Sequence, residues 1–249
     1  MSPESALIAE IPVLVRRSAR AGRRPLVLLS HGFTRCKEDW LEKLDELAGN
    51  GYFAVAMDNR LHGERAGAGF ASLMPGGKLD LVSLRKVMGE TASDISLLLD
   101  HFCADPAVDP QRIALAGVSM GGFVTYAALA NDARISVAVP IIASPYWGDI
   151  PGDSDVALSA ESQAELESLA ARAEPAARME MFPPRALLGQ IGDIDTHYNG
   201  ERVKRFFDML RPLYGSDSDR ARLIVHPGVA HDFTAEMWAN ALAWFETYL

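Results

Sequence analysis

Only two cysteines, Cys36 and Cys103, occur in 249 residues. They stand in unlike contexts and lack metal-ligand spacing, so neither a disulfide framework nor a zinc site is expected. No apolar run approaches the roughly 18 residues that span a membrane. Met1 to Ala9 lacks a basic stretch followed by an apolar one, so no signal peptide is expected and the predicted compartment is cytoplasmic. Positive charge is also scarce: 24 Lys+Arg face 33 Asp+Glu, a net charge of −9. Binding phosphates needs Lys/Arg clusters, so no nucleic acid is expected as a partner, and no membrane either. The one basic knot, Arg16, Arg17, Arg20, Arg23 and Arg24, falls between two apparent strands and reads as a solvated hairpin. The six histidines are scattered and form no H-E-x-x-H pair, so no metal is expected.

What is present is globular. Hydrophobic residues make up 49% and charged residues 23%, which excludes disorder. The length suits one α/β domain or two small ones. Short apolar runs alternate with longer helical patterns. Strands are predicted at Pro25–Ser30, Phe53–Met57, Arg112–Ala116, Ile135–Ile142, Arg185–Ile191 and Arg222–Val225. Helices are predicted at Glu38–Asn50, Leu84–Cys103, Met120–Ala130, Gly200–Leu213 and Ala235–Leu249. Ile11–Arg17 reads as an antiparallel edge strand. This alternation predicts an α/β fold with a mostly parallel sheet covered on both faces. Ligands of such sheets bind beyond the carboxyl ends of the strands. Two long connections lie on that side. One is Gly-rich, Arg60–Ser83. The other, about 146–184, reads as a small helical cap or lid insertion, helical from Ala160 to Ala173.

Gly117-Val118-Ser119-Met120-Gly121 fits G-x-S-x-G. This motif needs a sharp strand-to-helix turn that lifts a serine hydroxyl above the sheet, with small flanking residues. The strand RIALA precedes it and an apolar helix follows, which is the required setting. A serine hydroxyl needs a base to take its proton and an acid to orient that base. On a nucleophile elbow of this kind the chain order is Ser, then Asp/Glu, then His.

The segment RIALAGVSMGG resembles the nucleophile elbow of the α/β-hydrolase superfamily. The likeness covers about residues 11 to 249 and takes in His31-Gly32-Phe33 after the first parallel strand. Together with Asn59–Arg65 (NRLHGER), it is similar to small bacterial esterases related to dienelactone hydrolases and prolyl oligopeptidase catalytic domains. The resemblance implies a single α/β-hydrolase domain acting on carboxylic esters, without a cofactor. It implies an oxyanion hole made by the backbone N–H groups of Phe33 and Met120. The family's G-x-x-D pattern after ALLGQI selects Asp195 as the acid, with Asp193 as a rival two residues away. Its G-x-x-H pattern before the last helix selects His231 as the base. Catalysis is therefore expected from Ser119, Asp195 and His231 on a small-molecule ester or acyl substrate.

Other histidines get structural readings. His226 precedes a proline and His101 lies in a helix, while His197, in the acid loop, is a pocket-lining alternative whose favoured reading is solvent exposure. His62, Tyr146 and Trp147 are candidate pocket residues beside Phe33, while Trp40 reads as packing on its helix. Asp149, Asp153 and Asp155 would make the cap entrance acidic and disfavour anionic substrates. A peptidase acting on small or acylated peptides is the alternative on the same triad. A non-catalytic binding protein on this fold is a further alternative. Dienelactone hydrolases carry Cys, and haloalkane dehalogenases Asp, where this chain has Ser119. Nucleotide motifs fail: Gly67-Ala68-Gly69 meets Ser72 where a third Gly belongs, and Gly76-Gly77-Lys78 is followed by Leu79.

Overall fold

A computed structural model describes residues 3–148 and 159–249. Its strands are β1 (Glu4–Ile8), β2 (Ile11–Arg16), β3 (Arg24–Ser30), β4 (Phe53–Met57), β5 (Val108–Val118), β6 (Val137–Ile141), β7 (Ala186–Gly192) and β8 (Ala221–His226). The helices among the described residues are α1 (Leu41–Asn50), α2 (Leu81–Phe102), α3 (Met120–Asn131), α4 (Ala160–Ala173), α5 (Gly200–Leu210) and α6 (Ala235–Tyr248). The strands form one sheet in the order β1-β2-β4-β3-β5-β6-β7-β8. From β4 to β8 all pairs are parallel, while β1 and β2 are antiparallel additions. This is the α/β-hydrolase fold, with helices on both faces of the sheet.

The central strands are apolar runs because both of their faces are covered. Leu26–Leu29 and Phe53–Met57 are buried throughout. Asp80 starts α2 by accepting hydrogen bonds from the Val82 and Ser83 N–H groups. Thr234 starts α6 by accepting from Met237 N–H. Such caps satisfy N–H groups that a helix leaves unpaired. Trp238 of α6 donates its indole N–H to Glu46 of α1 at 2.6 Å, tying these two helices together.

Strand order creates the site. From β3 the chain crosses to β4 on one side, and later to β5 on the other. A crevice opens where strand order reverses in this way. Register aligns the strand ends there: Ser30 pairs with Gly117, and Val118 with Ile141.

Three expectations need correction. Ile11–Arg16 is antiparallel but not the edge, because β1 pairs outside it. Glu4–Ile8 is mostly exposed and has no apolar alternation to reveal it. The arginine knot is no hairpin, because β4 lies between β2 and β3. Arg16 instead pairs with Asp45 at 2.5 Å, and Arg17 with Asp105 at 2.8 Å. Helix α5 ends at Leu210 rather than Leu213, and 3-10 turns with Pro212 near their start take over. The expected helix at Ala160–Ala173 is α4, which lies against α2 through a Lys86–Glu165 ion pair. Asp149, Asp153 and Asp155 lie outside the described residues.

Candidate active site

Ser119 joins β5 to α3 at φ 55° and ψ −118°. Non-glycine residues rarely take positive φ, and holding one there costs about 1–3 kcal/mol. The surroundings over-determine the turn. Ser119 N–H donates to Ile141 O at 2.9 Å, and Ser119 O accepts from Gly122 N–H at 2.7 Å and Phe123 N–H at 3.1 Å. A Cβ on Gly121 would lie 2.1 Å from Ser30 O, and one on Gly117 2.1 Å from Gly121 O. No side chain fits at either glycine.

The loops after β7 and β8 bring up two more groups. His231 Nε2 lies 2.7 Å from Ser119 Oγ, and His231 Nδ1 lies 2.7 Å from Asp195 Oδ2. With a carboxylate at Nδ1, that nitrogen carries the proton and Nε2 is free to accept one. Asp195 is buried. Burial alone would raise its carboxyl, but hydrogen bonds from His231 and from His197 N–H outweigh it and hold the acid below the usual carboxylate range. Asp193 is exposed and accepts Gly228 N–H at 2.7 Å, which ties the two loops together. The structure thus joins Asp195, not Asp193, to His231.

His197 holds the least expected position. Its side chain is 45% exposed, yet its ring stacks on His231 with centroids 3.9 Å apart. Its Nδ1 lies 3.2 Å from Asp195 Oδ1, so two imidazoles share one carboxylate. His226 lies away from this group, buried against Gln190 at 3.1 Å. His101 remains on the exposed side of α2.

Met120 is the first residue of α3, so its N–H has no partner within the helix. The helix's positive end lies at the same place. Gly32 lies beside the elbow, since a Cβ there would stand 3.7 Å from Ser119 Cβ. Phe33 follows it directly. Among the described residues, neither the Phe33 nor the Met120 N–H donates a hydrogen bond.

Behind Phe33 is a buried scaffold that sequence reading missed. His31 is buried, with Nδ1 donating to Gly32 O at 2.8 Å and Nε2 accepting from Asn59 N–H at 3.0 Å. Burial pushes its imidazole down to about 4. Lys37, also buried, holds Asp58 at 2.9 Å and Glu64 at 2.5 Å. Burial would lower this ammonium, but the hydrogen bonds it donates to Glu38, Glu64 and Asp58 raise it instead. Arg60 and Arg65 both bind the buried Asp94. The NRLHGER segment is therefore pinned by charge. The one signal in the sequence was its density of charged residues directly after a strand.

A cavity of about 740 Å³ opens at Ser119. Its apolar wall comes from α2 and α3, with Leu81, Leu84, Met88 and Phe123, and from Phe33, Trp40 and Phe233. The expected pocket residues His62, Tyr146 and Trp147 do not line it. His62 is buried behind Phe33, with ring centroids 5.3 Å apart. Tyr146 packs on Phe206, and Trp147 is buried against Gly89 of α2. Trp40, expected only to pack, is part of the wall. The polar rim includes Arg35, Asp39, Lys43 and Asp232.

A family model described as the alpha/beta hydrolase family matches residues 26–248. A protein of Bacillus subtilis (strain 168) named "Putative esterase YitV" is 27% identical over 257 residues, covering 99% of this chain and 98% of that one. The crystal structure of TT1662 from Thermus thermophilus has a TM-score of 0.75 at 25% identity, covering 99% of this chain and 97% of that one. Pyrococcus horikoshii acylaminoacyl peptidase shares the fold with a TM-score of 0.74 at 17% identity, over 99% of this chain and 42% of that one. Among the described residues, no helix is long and apolar enough to cross a membrane.

Proposed function

Since the chain belongs to the alpha/beta hydrolase family and is a hydrolase, we propose that it cleaves carboxylic esters through Ser119, His231 and Asp195 by way of an acyl-enzyme. The observation that carries this reading is the unbroken line from Ser119 Oγ to His231 to Asp195, 2.7 Å at each junction. Ser119 Oγ attacks the acyl carbon as its proton passes to His231 Nε2. Asp195 keeps the Nδ1 proton in place and stabilises the imidazolium. Negative charge developing on the carbonyl oxygen meets the Phe33 and Met120 N–H groups. Removing one such donor costs about 10²–10³ in rate. His231 then gives its proton to the leaving alcohol, and water repeats the cycle on the acyl-enzyme.

The substrate reading follows from the cavity. Leu81, Leu84, Met88 and Phe123 offer apolar contact to an acyl chain beside Ser119. The volume falls within the roughly 300–1,000 Å³ of small-molecule sites. Short to medium acyl esters suit it. We read residues 146–184 as a lid insertion of this single domain.

The test is a panel of p-nitrophenyl esters of varied chain length, run beside aminoacyl amides. Ester hydrolysis should be lost in Ser119→Ala, and a fluorophosphonate should label Ser119 alone. Retained ester hydrolysis in Ser119→Ala would sink the reading. Faster turnover of the amides would point to a peptidase instead.

A further inference from the structure

The shared carboxylate and its two imidazoles form a cluster of possible metal ligands. Asp195, His197 and His231 each offer one ligand atom, and these atoms lie within 4.8 Å of one another. Each imidazole already faces its own oxygen of that carboxylate, His231 Nδ1 at 2.7 Å from Oδ2 and His197 Nδ1 at 3.2 Å from Oδ1. Ligand atoms around a tetrahedral zinc ion stand about 3.4 Å apart, given Zn–N and Zn–O bonds near 2.1 Å. Small side-chain rotations would gather the three atoms around one ion. Two imidazoles and one carboxylate form a donor set that suits borderline divalent cations. Entry is open on the cavity side, which His197 and His231 both line.

We infer that Asp195, His197 and His231 form an inhibitory site for a zinc-type divalent cation. The proton balance explains the inhibition. In the metal-free protein each ring carries its proton on Nδ1, facing Asp195. A cation bound at Nδ1 moves that proton to Nε2 of the same ring, so no net proton is released. His231 Nε2 then carries a hydrogen and cannot take one from Ser119. The ion also takes the carboxylate that would stabilise the imidazolium. A water or the solvent side fills the fourth position. His197 is essential here, because without it the ion keeps two protein ligands and loses the third. The inhibition rests on the triad reading above, whereas the binding does not.

The experiment uses the full chain, stripped with a chelator and titrated with ZnCl2 at neutral pH in a non-coordinating buffer. Ester hydrolysis is followed relative to each variant's own metal-free rate. Micromolar Zn2+ should suppress the wild type by about tenfold or more, and EDTA should restore it. His197→Asn and His197→Gln should each need about tenfold or more extra Zn2+ for the same suppression. Mg2+ and Ca2+ prefer all-oxygen sites and should not inhibit at these concentrations. Equal sensitivity of wild type and both folded variants would overturn the inference, because zinc would then act elsewhere. So would a wild type that Zn2+ does not inhibit, or equal inhibition by Ca2+. A change in kcat without a change in zinc sensitivity would reduce His197 to a positioning residue and also overturn it. Binding is read separately by competition with a chromophoric chelator on Ser119→Ala. If the metal-free protein hydrolysed no ester, the functional reading would fall. The site would still stand on one-to-one binding that is lost with His197→Asn, and would fall if that binding persisted.

Discussion

Acid should weaken this fold through one histidine, His31. It is 1% exposed, and burial takes it from 6.5 down to about 4. Its two hydrogen bonds show why the neutral ring is required. Nδ1 donates to Gly32 O, and Nε2 accepts from Asn59 N–H. Protonation would aim a new N–H at an existing one in a buried position. The sign follows from the proton count. Between pH 6.5 and 4 the unfolded chain binds a proton that the folded chain refuses, so stability falls as pH falls through that window. The whole difference is worth about 3 kcal/mol, and about 2 kcal/mol of it is lost between pH 7.5 and 4.5. Urea unfolding followed by tryptophan fluorescence at these two pH values measures it. His31→Gln supplies the control, because its amide oxygen can still accept Asn59 N–H but does not titrate. The wild type should lose about 2 kcal/mol more than the variant over this interval. His62, also lowered by burial, adds loss of the same sign to both proteins, so the difference between them reports His31 together with its coupling to His62. Equal losses in the two proteins would refute the argument.

Asp195→Asn should lower kcat by about 10⁴, as removing the orienting carboxylate does elsewhere, while Asp193→Asn should cost less than about tenfold. Steady-state kinetics on one ester decide it, and the opposite ranking would assign the acid to Asp193. Lys37→Met strands Asp58 in the interior and should cost about 3–5 kcal/mol of stability, with Asp58→Asn recovering part of it. Thermal melts of the single and double variants would show this, and an unchanged midpoint in the single variant would contradict it. Leu84→Trp narrows the cavity and should cut the octanoyl-to-acetyl ratio of kcat/KM by about tenfold or more, since extra bulk in a filled site is poorly tolerated. Trp147→Phe should leave that ratio unchanged, and a shift there would restore Trp147 to the pocket.

The fold was legible in the sequence where burial is complete on both faces of a strand. PLVLLS, FAVAM and RIALA announce β3, β4 and β5 because nothing polar can sit on either side of them. Edge strand β1 was hidden by the same logic, since ESALI is mostly exposed and mimics a loop. Insertion of β4 between β2 and β3 is a non-local event, so the arginines between them misread as a hairpin. At the site, residues fixed by chain order were legible: Ser119 on its elbow, and His231 before the last helix. The pocket was not. Helical spacing reveals which face of α2 is apolar, but not that its first turns face a cavity while Ile95, Leu98 and Leu99 face the core. Tyr146 and Trp147 follow a strand end, yet the chain turns them against α5 and α2. For His197, no local pattern encodes stacking on a ring 34 positions away.

The two halves of the site are held in different ways, and this decides where control can act. The half that carries Ser119, the proposed nucleophile, is locked by backbone. Ser119 is held by three main-chain hydrogen bonds, and two glycines admit no side chain. The half that carries His231, the proposed base, is built from the loops after β7 and β8. His231 is half-buried, and its loop meets the acid loop through the Gly228–Asp193 bond and longer contacts such as Ile194 N–H to Val229 O at 3.3 Å. If Ser119 attacks as proposed, a backbone-locked turn preserves the preorganisation that transition-state stabilisation needs. On the proposed reading His231 takes up and gives back a proton, and the same ring is the one the inferred cation would engage. On that reading, a cation that regulates this hydrolase without unfolding it should act on Asp195, His197 and His231 rather than on the elbow.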